Sequence, residues 1–188
     1  MKKLMLLSLA IFFISSMAAF AVVESVVKPE EYEVYSFLLE LTSWELFVVA
    51  DETRGGGHEK ISEDFLKKEF GPKLDATLLA RFIQENETPV QLENKFTGGL
   101  SVRILSAKED AEIFSTVGSG GGWKEFHKRY PGACNYQFSR VAFNDARDEA
   151  LVYESSICGP VSGLGEYFLL KKVGGKWTVI AQVNAWIV

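Results

Sequence analysis

Four β-rich segments follow one another with turn signals between them: Phe138 to Asn144, Ala150 to Cys158, Glu166 to Val173 and Lys176 to Val188. That patterning points to an antiparallel meander, because short strands joined by tight turns pair with their neighbours. Gly174-Gly175 is a tight-hairpin signal. In the last segment Val179, Ala181, Val183, Ala185 and Ile187 share a face opposite Ile180, Gln182, Asn184 and Trp186, the period-two pattern of a half-buried strand. Gly159-Pro160-Val161-Ser162-Gly163-Leu164-Gly165 reads as a turn between strands, with glycines supplying positive φ.

The N-terminal half reads as helices around a strand or two. Pro29 opens a helix over 29–43, since its missing N–H costs nothing in a first turn and Glu30, Glu31 and Glu33 favour the positive helix end. Tyr32, Tyr35, Leu38, Leu39 and Thr42 form its apolar stripe. Leu46 to Ala50 is a buried strand leaving into Asp51-Glu52-Thr53-Arg54 and three glycines. Ser62 starts a short helix that Gly71-Pro72 ends, and Asp75 to Asn86 forms another with Leu78, Leu79, Phe82 and Ile83 inward. Pro89 to Thr97 is extended or irregular. Leu100 to Leu105 alternates as a strand, with Leu100, Val102 and Ile104 on one face, and Asp110 to Ser115 makes a helical turn or two. Gly118 to Gly122 is a glycine-rich loop before a short helix, Trp123 to Tyr130, stopped by Pro131-Gly132. The fold class is α+β: a single domain with a C-terminal antiparallel β-meander packed against N-terminal helices.

Residues 1–21 read as an export signal. Lys2 and Lys3 precede an apolar run from Leu4 to Phe20, and Ala19-Phe20-Ala21 supplies the small-x-small pattern of a cleavage site, so the mature chain begins at Val22. The competing reading is an uncleaved membrane anchor, since the run approaches spanning length. No later run does, so no membrane insertion is expected after cleavage, and the product is periplasmic or extracellular. The formal charge is −5 with Lys2 and Lys3 and −7 without them. An acidic chain with no basic stripe is a poor partner for nucleic acid, whose binding rests on Lys and Arg neutralising phosphates.

Cys134 and Cys158 are the two cysteines. In an oxidising compartment they are a disulfide candidate worth roughly 3 kcal/mol in the chain-entropy model. The alternative is two small buried thiols. Without Cys-x-x-Cys a redox site is not indicated.

Ser139-Arg140-Val141-Ala142-Phe143-Asn144, Glu149-Ala150-Leu151-Val152-Tyr153, Cys158-Gly159, Gly163-x-Gly165-x-Tyr167-x-Leu169-Leu170, Gly175-Lys176-Trp177 and Trp186-Ile187 together resemble a group of small exported bacterial proteins of uncharacterised function. Pro29-Glu30-Glu31-Tyr32 with Tyr35, and Asp51-x-Thr53, are similar too. In that group Gly commonly stands where this chain has Ala142, and Ser where it has Val188. The resemblance implies export and this order of elements, and it implies no activity, cofactor or catalytic residue.

Chemistry-bearing motifs are sparse. His58 and His127 lack ligand partners at helical spacing, and Ser62 stands where a zinc-protease helix after His58-Glu59 needs its second histidine, so no metal is assigned. Ser119 and Ser162 lack the nucleophile elbow. Cys134 or Cys158 with His127 makes a thiol site only if the cysteines are unbonded. Gly118 to Gly122 has neither the lysine nor the spacing of a phosphate loop. No cofactor fingerprint occurs.

The residues that remain as binding candidates are Asp51, Glu52 and Thr53, with Arg54 beside them, at a strand exit, Arg140 in an apolar segment, and Trp123 and His127 on a helix. Loops at strand ends concentrate binding groups, although Asp51 and Thr53 equally serve to satisfy turn N–H groups. Trp123, Phe126 and Tyr130 at i, i+3 and i+7 share one helix face, read first as core packing and second as an aromatic groove for a peptide or glycan. Arg140 calls for a carboxylate in a structural ion pair. The leading expectation is a non-catalytic domain that binds a protein, peptide or envelope component. The alternatives are a small hydrolase using Asp51 and Glu52, helped by His127 or Arg140, and a small-ligand carrier with an apolar cavity between helix 29–43 and the meander.

Overall fold

The computed structural model describes residues 26–55, 61–115 and 121–188. Residues 1–21, His58 and Gly118 to Gly120 lie outside the described residues. In chain order the elements are α1 (Pro29–Glu40), β1 (Phe47–Ala50), α2 (Glu63–Phe70), α3 (Ala76–Glu85), β2 (Val102–Leu105), α4 (Ala107–Phe114), α5 (Gly121–Arg129), β3 (Cys134–Phe138), β4 (Ala142–Phe143), β5 (Glu149–Gly159), β6 (Ser162–Val173) and β7 (Lys176–Ile187). The fold is mixed α+β. Among the described residues, no helix is long and apolar enough to cross a membrane.

The strands form one sheet in the order β2-β1-β3-β5-β6-β7, with β4 paired to β5. From β3 to β7 all pairing is antiparallel, and β5-β6-β7 is the expected meander. The sheet does not stop there. β1 runs parallel to both β2 and β3, a mixed half that period-two patterning did not announce. β3 itself was missed, although its buried Cys134, Tyr136 and Phe138 alternate with the half-buried Asn135 and Gln137 as in any half-buried strand.

The local signals at the helix ends operate as chemistry requires. Glu31, in the first turn of α1, accepts the Lys28 N–H at 3.0 Å. Ser62 caps α2 through Phe65 N at 3.2 Å, and Asp75 caps α3 through Thr77 N and Leu78 N at 2.8 and 3.0 Å. α1 ends at Glu40, short of 43, where Thr42 gives both its N–H and its hydroxyl to the Leu39 carbonyl. α4 begins three residues before the expected Asp110, at a Ser106 cap that accepts the Glu109 N–H at 3.2 Å.

The core has two sides because successive strand residues point to opposite faces. On one face Tyr35, Leu38 and Leu39 of α1 pack on Phe47, Val49, Phe138, Val152 and Phe168. On the other, Leu66, Leu79 and Phe82 of α2 and α3 cover Leu151, Tyr153, Tyr167 and Leu169, while Ile113 and Phe126 of α4 and α5 cover Val48 and Leu105. Between these two helix groups Asn135, Gln137, Ser155 and Ile157 of that second face line an open cleft.

Three strand expectations need correction. The segment Phe138 to Asn144 is not one strand: it breaks at Ser139–Val141, where the Ser139 hydroxyl replaces a backbone carbonyl by accepting Tyr153 N at 2.8 Å. The alternation of β7 is interrupted by register shifts opposite Gly165/Glu166 and Leu169/Leu170. Val179 therefore packs with the α1 core, whereas Ala181, Val183 and Ala185 pack with α2 and α3. Gly163 and Gly165 are strand residues without positive φ, and a Cβ on Gly165 would meet Trp186 and the Tyr153 hydroxyl. Gly174 and Gly175 do adopt φ of +60° and +80°, the conformation the hairpin turn needs.

Candidate functional site: the cleft at the strand ends

Asp51 follows β1 directly, and Ala107 and Asp110 open the helix that follows β2. Parallel strands deliver their next residues to the same end of a sheet, the position where open α/β sheets hold ligands. Here they meet in a cleft of about 300 Å³ lined by Asp51, Glu52, Arg54, Asp110 and the sheet-face side chains Asn135, Gln137 and Ser155.

Each exit residue has a partner. Asp51 Oδ2 accepts Ala107 N at 3.1 Å, at the positive start of α4. Glu52 Oε1 accepts Gln91 Nε2 at 2.8 Å, across an isolated bridge between residues 52 and 91. Thr53 is buried, and its hydroxyl accepts Val90 N at 2.9 Å while its own N–H reaches Val90 O. Arg54 N donates to Phe138 O at 2.8 Å, which anchors the loop to β3. Asp51 and Glu52 line one cleft, yet their carboxylates serve different neighbours.

Arg54 belongs to the strand exit read from the sequence, whereas Asp110 was missed, and only the adjacency of β1 and β2 brings the two together. Burial raises the Asp110 carboxyl above the ordinary Asp range; Arg54 opposes that and Asp51 adds to it. Asn135 Oδ1 is enclosed without a hydrogen-bond partner. The cleft thus offers three carboxylates, one guanidinium, two amides and a hydroxyl.

The other candidates sit elsewhere. Arg140 is 1 % exposed and gives Nε and Nη2 to Glu31 at 2.9 and 2.8 Å. Val141 N adds a third bond to Glu31 at 3.0 Å, and Arg140 N and O are both held by Asn86 at the end of α3. Burial disfavours the guanidinium charge, but hydrogen bonding and proximity to Glu31 prevail, so its pKa ends above the usual value. This is the carboxylate pairing the sequence called for, with a partner 109 residues away.

Phe126 and Tyr130 are buried with Ile113 and Ala133, and the half-buried Trp123 packs against them, its ring centroid 5.0 Å from that of Phe114. His127 Nε2 lies 3.0 Å from the Cys158 carbonyl, and its ring leans on Trp123 at 5.8 Å between centroids. Cys134 and Cys158 face each other across β3 and β5 with their sulfurs at bonding distance, 2.05 Å. Neither Arg140, Trp123 nor His127 lines the strand-end cleft. Among the described residues, no group of three or more His, Cys, Asp or Glu side chains is placed to hold a metal ion.

Compared with family models, with curated proteins and with solved structures, the chain matches none.

Proposed function

We propose that the chain is exported and loses residues 1–21, as its resemblance to small exported bacterial proteins implies, and that it acts as one non-catalytic domain that binds a protein, peptide or other component of the cell envelope. The observation that carries this reading is the composition of the strand-end cleft. Asp51, Arg54 and Asp110 converge there with Asn135, Gln137 and Ser155, while His127 and Arg140, the groups a hydrolase based on Asp51 would enlist, are built into other parts of the fold. Polar groups that converge in a concave site without an assembled acid, base and nucleophile favour binding over turnover. The space a carrier would need under α1 is filled by Tyr35, Leu38, Phe138, Val152 and Phe168. A bonded cysteine pair fits an oxidising compartment.

The test is affinity capture from the native envelope with the secreted chain and with Arg54→Glu, which inverts one charge of the cleft and leaves the backbone bond of residue 54 in place. A partner retained by the wild type and lost with Arg54→Glu is expected. An identical capture by both, or hydrolysis of an ester or peptide panel abolished by Asp51→Asn, sinks the reading. N-terminal sequencing of the cellular product is expected to start at Val22; an intact Met1 in the cytosol with two alkylatable cysteines would overturn export.

A further inference from the structure

On the far side of the Arg140–Glu31 pair lies a second concavity, about 280 Å³, enclosed by the start of α1, the last turns of α3 and the turn between β4 and β5. Its charges are balanced: Lys28, Arg81 and Arg147 against Glu31, Glu85 and Asp145. Val141 and Phe143 are its apolar residues. We propose that this crevice is a binding site for a small α-amino acid, taken as the zwitterion.

Its floor is fixed and electrically spent. Glu31 is 1 % exposed and receives Arg140 Nε and Nη2, Val141 N and Lys28 N, so it has little to offer a ligand. Arg81 is likewise engaged, giving Nη1 to Phe143 O and Nη2 to Asp145 at 2.7 Å.

Two groups keep capacity. Glu85 is partly exposed and reaches Arg140 Nη2 only at 3.5 Å, long for a charge-assisted bond. Burial raises its pKa against the pull of Arg140, which is the condition of a carboxylate short of a donor. An ammonium supplies that donor. Arg147 is the complementary case: its nearest carboxylate, on Glu30, is 3.8 Å away, and the guanidinium sits 5.4 Å from the Phe143 ring centre. Its fork of donors suits a carboxylate.

Arg147 also occupies an uncommon backbone state. It is the one non-glycine with positive φ among the described residues, at +54°, in the turn closed by Arg147 N to Asn144 O. Glycine or asparagine ordinarily fills such a position, and a long side chain there costs stability that a ligand contact would explain. The crevice has little apolar lining, with Val141 and Phe143 among charged side chains, so it suits a ligand with a small or polar side chain, such as serine, over one with a large apolar side chain.

The experiment is titration calorimetry on the secreted chain with L-serine, N-acetyl-L-serine and L-serine amide. L-Serine is expected to bind, and blocking either end is expected to weaken binding about tenfold or more, the worth of one hydrogen bond to a charged group. Arg147→Gly suits the left-handed backbone, so it should keep or raise the melting temperature while weakening L-serine by a similar factor. Glu85→Gln should weaken it without disturbing the Glu31–Arg140 pair. Arg54→Glu, in the other cleft, should leave it unchanged, which separates this site from the strand-end reading. The proposal is overturned if L-serine gives no heat at about 10 mM, roughly ten-thousandfold above a 1 μM dissociation constant. It is equally overturned if the blocked forms bind as well as L-serine, or if Arg147→Gly and Glu85→Gln both bind like the wild type.

Discussion

The α1 side of the sheet and the strand-end cleft both hold carboxylates near arginines, and they treat them in opposite ways. Around Arg140 the polar atoms are withdrawn from water and mutually satisfied: Glu31 accepts from Arg140, Val141 and Lys28, Tyr35 gives its hydroxyl to Ser139 O at 2.8 Å, and Asn86 holds both backbone groups of Arg140. Around Asp110 they stay at the surface of a cleft, each bonded to a different element or to none. A closed network specifies how α1, α3 and β4 dock, because no member can move without stranding another. An open one leaves capacity for something that arrives later.

The sharpest way to break this contrast is to remove one half of the closed pair. Glu31→Ala leaves the buried Arg140 charge without its main partner and should cost roughly 3–5 kcal/mol in urea unfolding. Replacing Glu31 and Arg140 together by Leu and Met should cost far less, since the penalty lies in the stranded charge. If Glu31→Ala costs no more than a surface substitution, the network is not what docks α1.

Next comes the bond that ties the two halves of the sheet. Cys134 belongs to β3, which pairs with the parallel edge, and Cys158 to β5, which begins the meander. Changing both to serine should lower stability by about 3 kcal/mol, as closing a loop with a separation of 24 residues implies. Thermal melts with and without reductant check it, and the reduced wild type should match the variant.

A third test exploits a carboxyl that neither region accommodates. Glu154 is buried on β5 directly opposite Glu166, and burial with that like charge pushes it up to about 8. The folded state therefore binds the proton more tightly than the unfolded chain. Its contribution is full below the ordinary Glu value, and stability falls as pH rises toward and through about 8. Between about pH 5 and pH 8 the loss should be about 3 kcal/mol, and Glu154→Gln, which mimics the protonated acid, should flatten it. Urea midpoints across that range decide; a slope unaltered in the variant refutes the assignment.

Legibility divided along the same line. The meander could be read because Gly174-Gly175 and the spacing of turn signals are local, and Arg140 could be read as needing a carboxylate because a charge in an apolar run has few alternatives. Its partner could not: Glu31 resembles its neighbours Glu30 and Glu33 until the fold buries it. β1 and β2 are four-residue strands, and nothing in so short a run says whether its neighbour runs parallel. The early start of α4 and the missed strand β3 did leave signals. Ser106-Ala107-Lys108-Glu109 is the Ser-x-x-Glu pattern of a helix start, and Cys-Asn-Tyr-Gln-Phe alternates as a strand does. The cleft follows from β1 lying beside β2 and β3, so Asp51 and Arg54 were visible at a strand exit while Asp110 and Asn135 waited on strand order.

The smallest effects separate two carboxylates of the same cleft. Asp51 accepts the first N–H of α4, so Asp51→Ala should cost about 1 kcal/mol, the usual worth of a helix-start acceptor, with Asp51→Asn in between. Asp110 is bonded to no comparable donor, and burial disfavours its charge, so Asp110→Asn should raise stability at neutral pH, by no more than about 0.5 kcal/mol. Opposite responses from two acids lining one cleft mean that Asp51 is held by the fold and Asp110 is held in reserve. Equal losses at both positions would make the cleft a second closed network and remove the distinction on which its binding role rests.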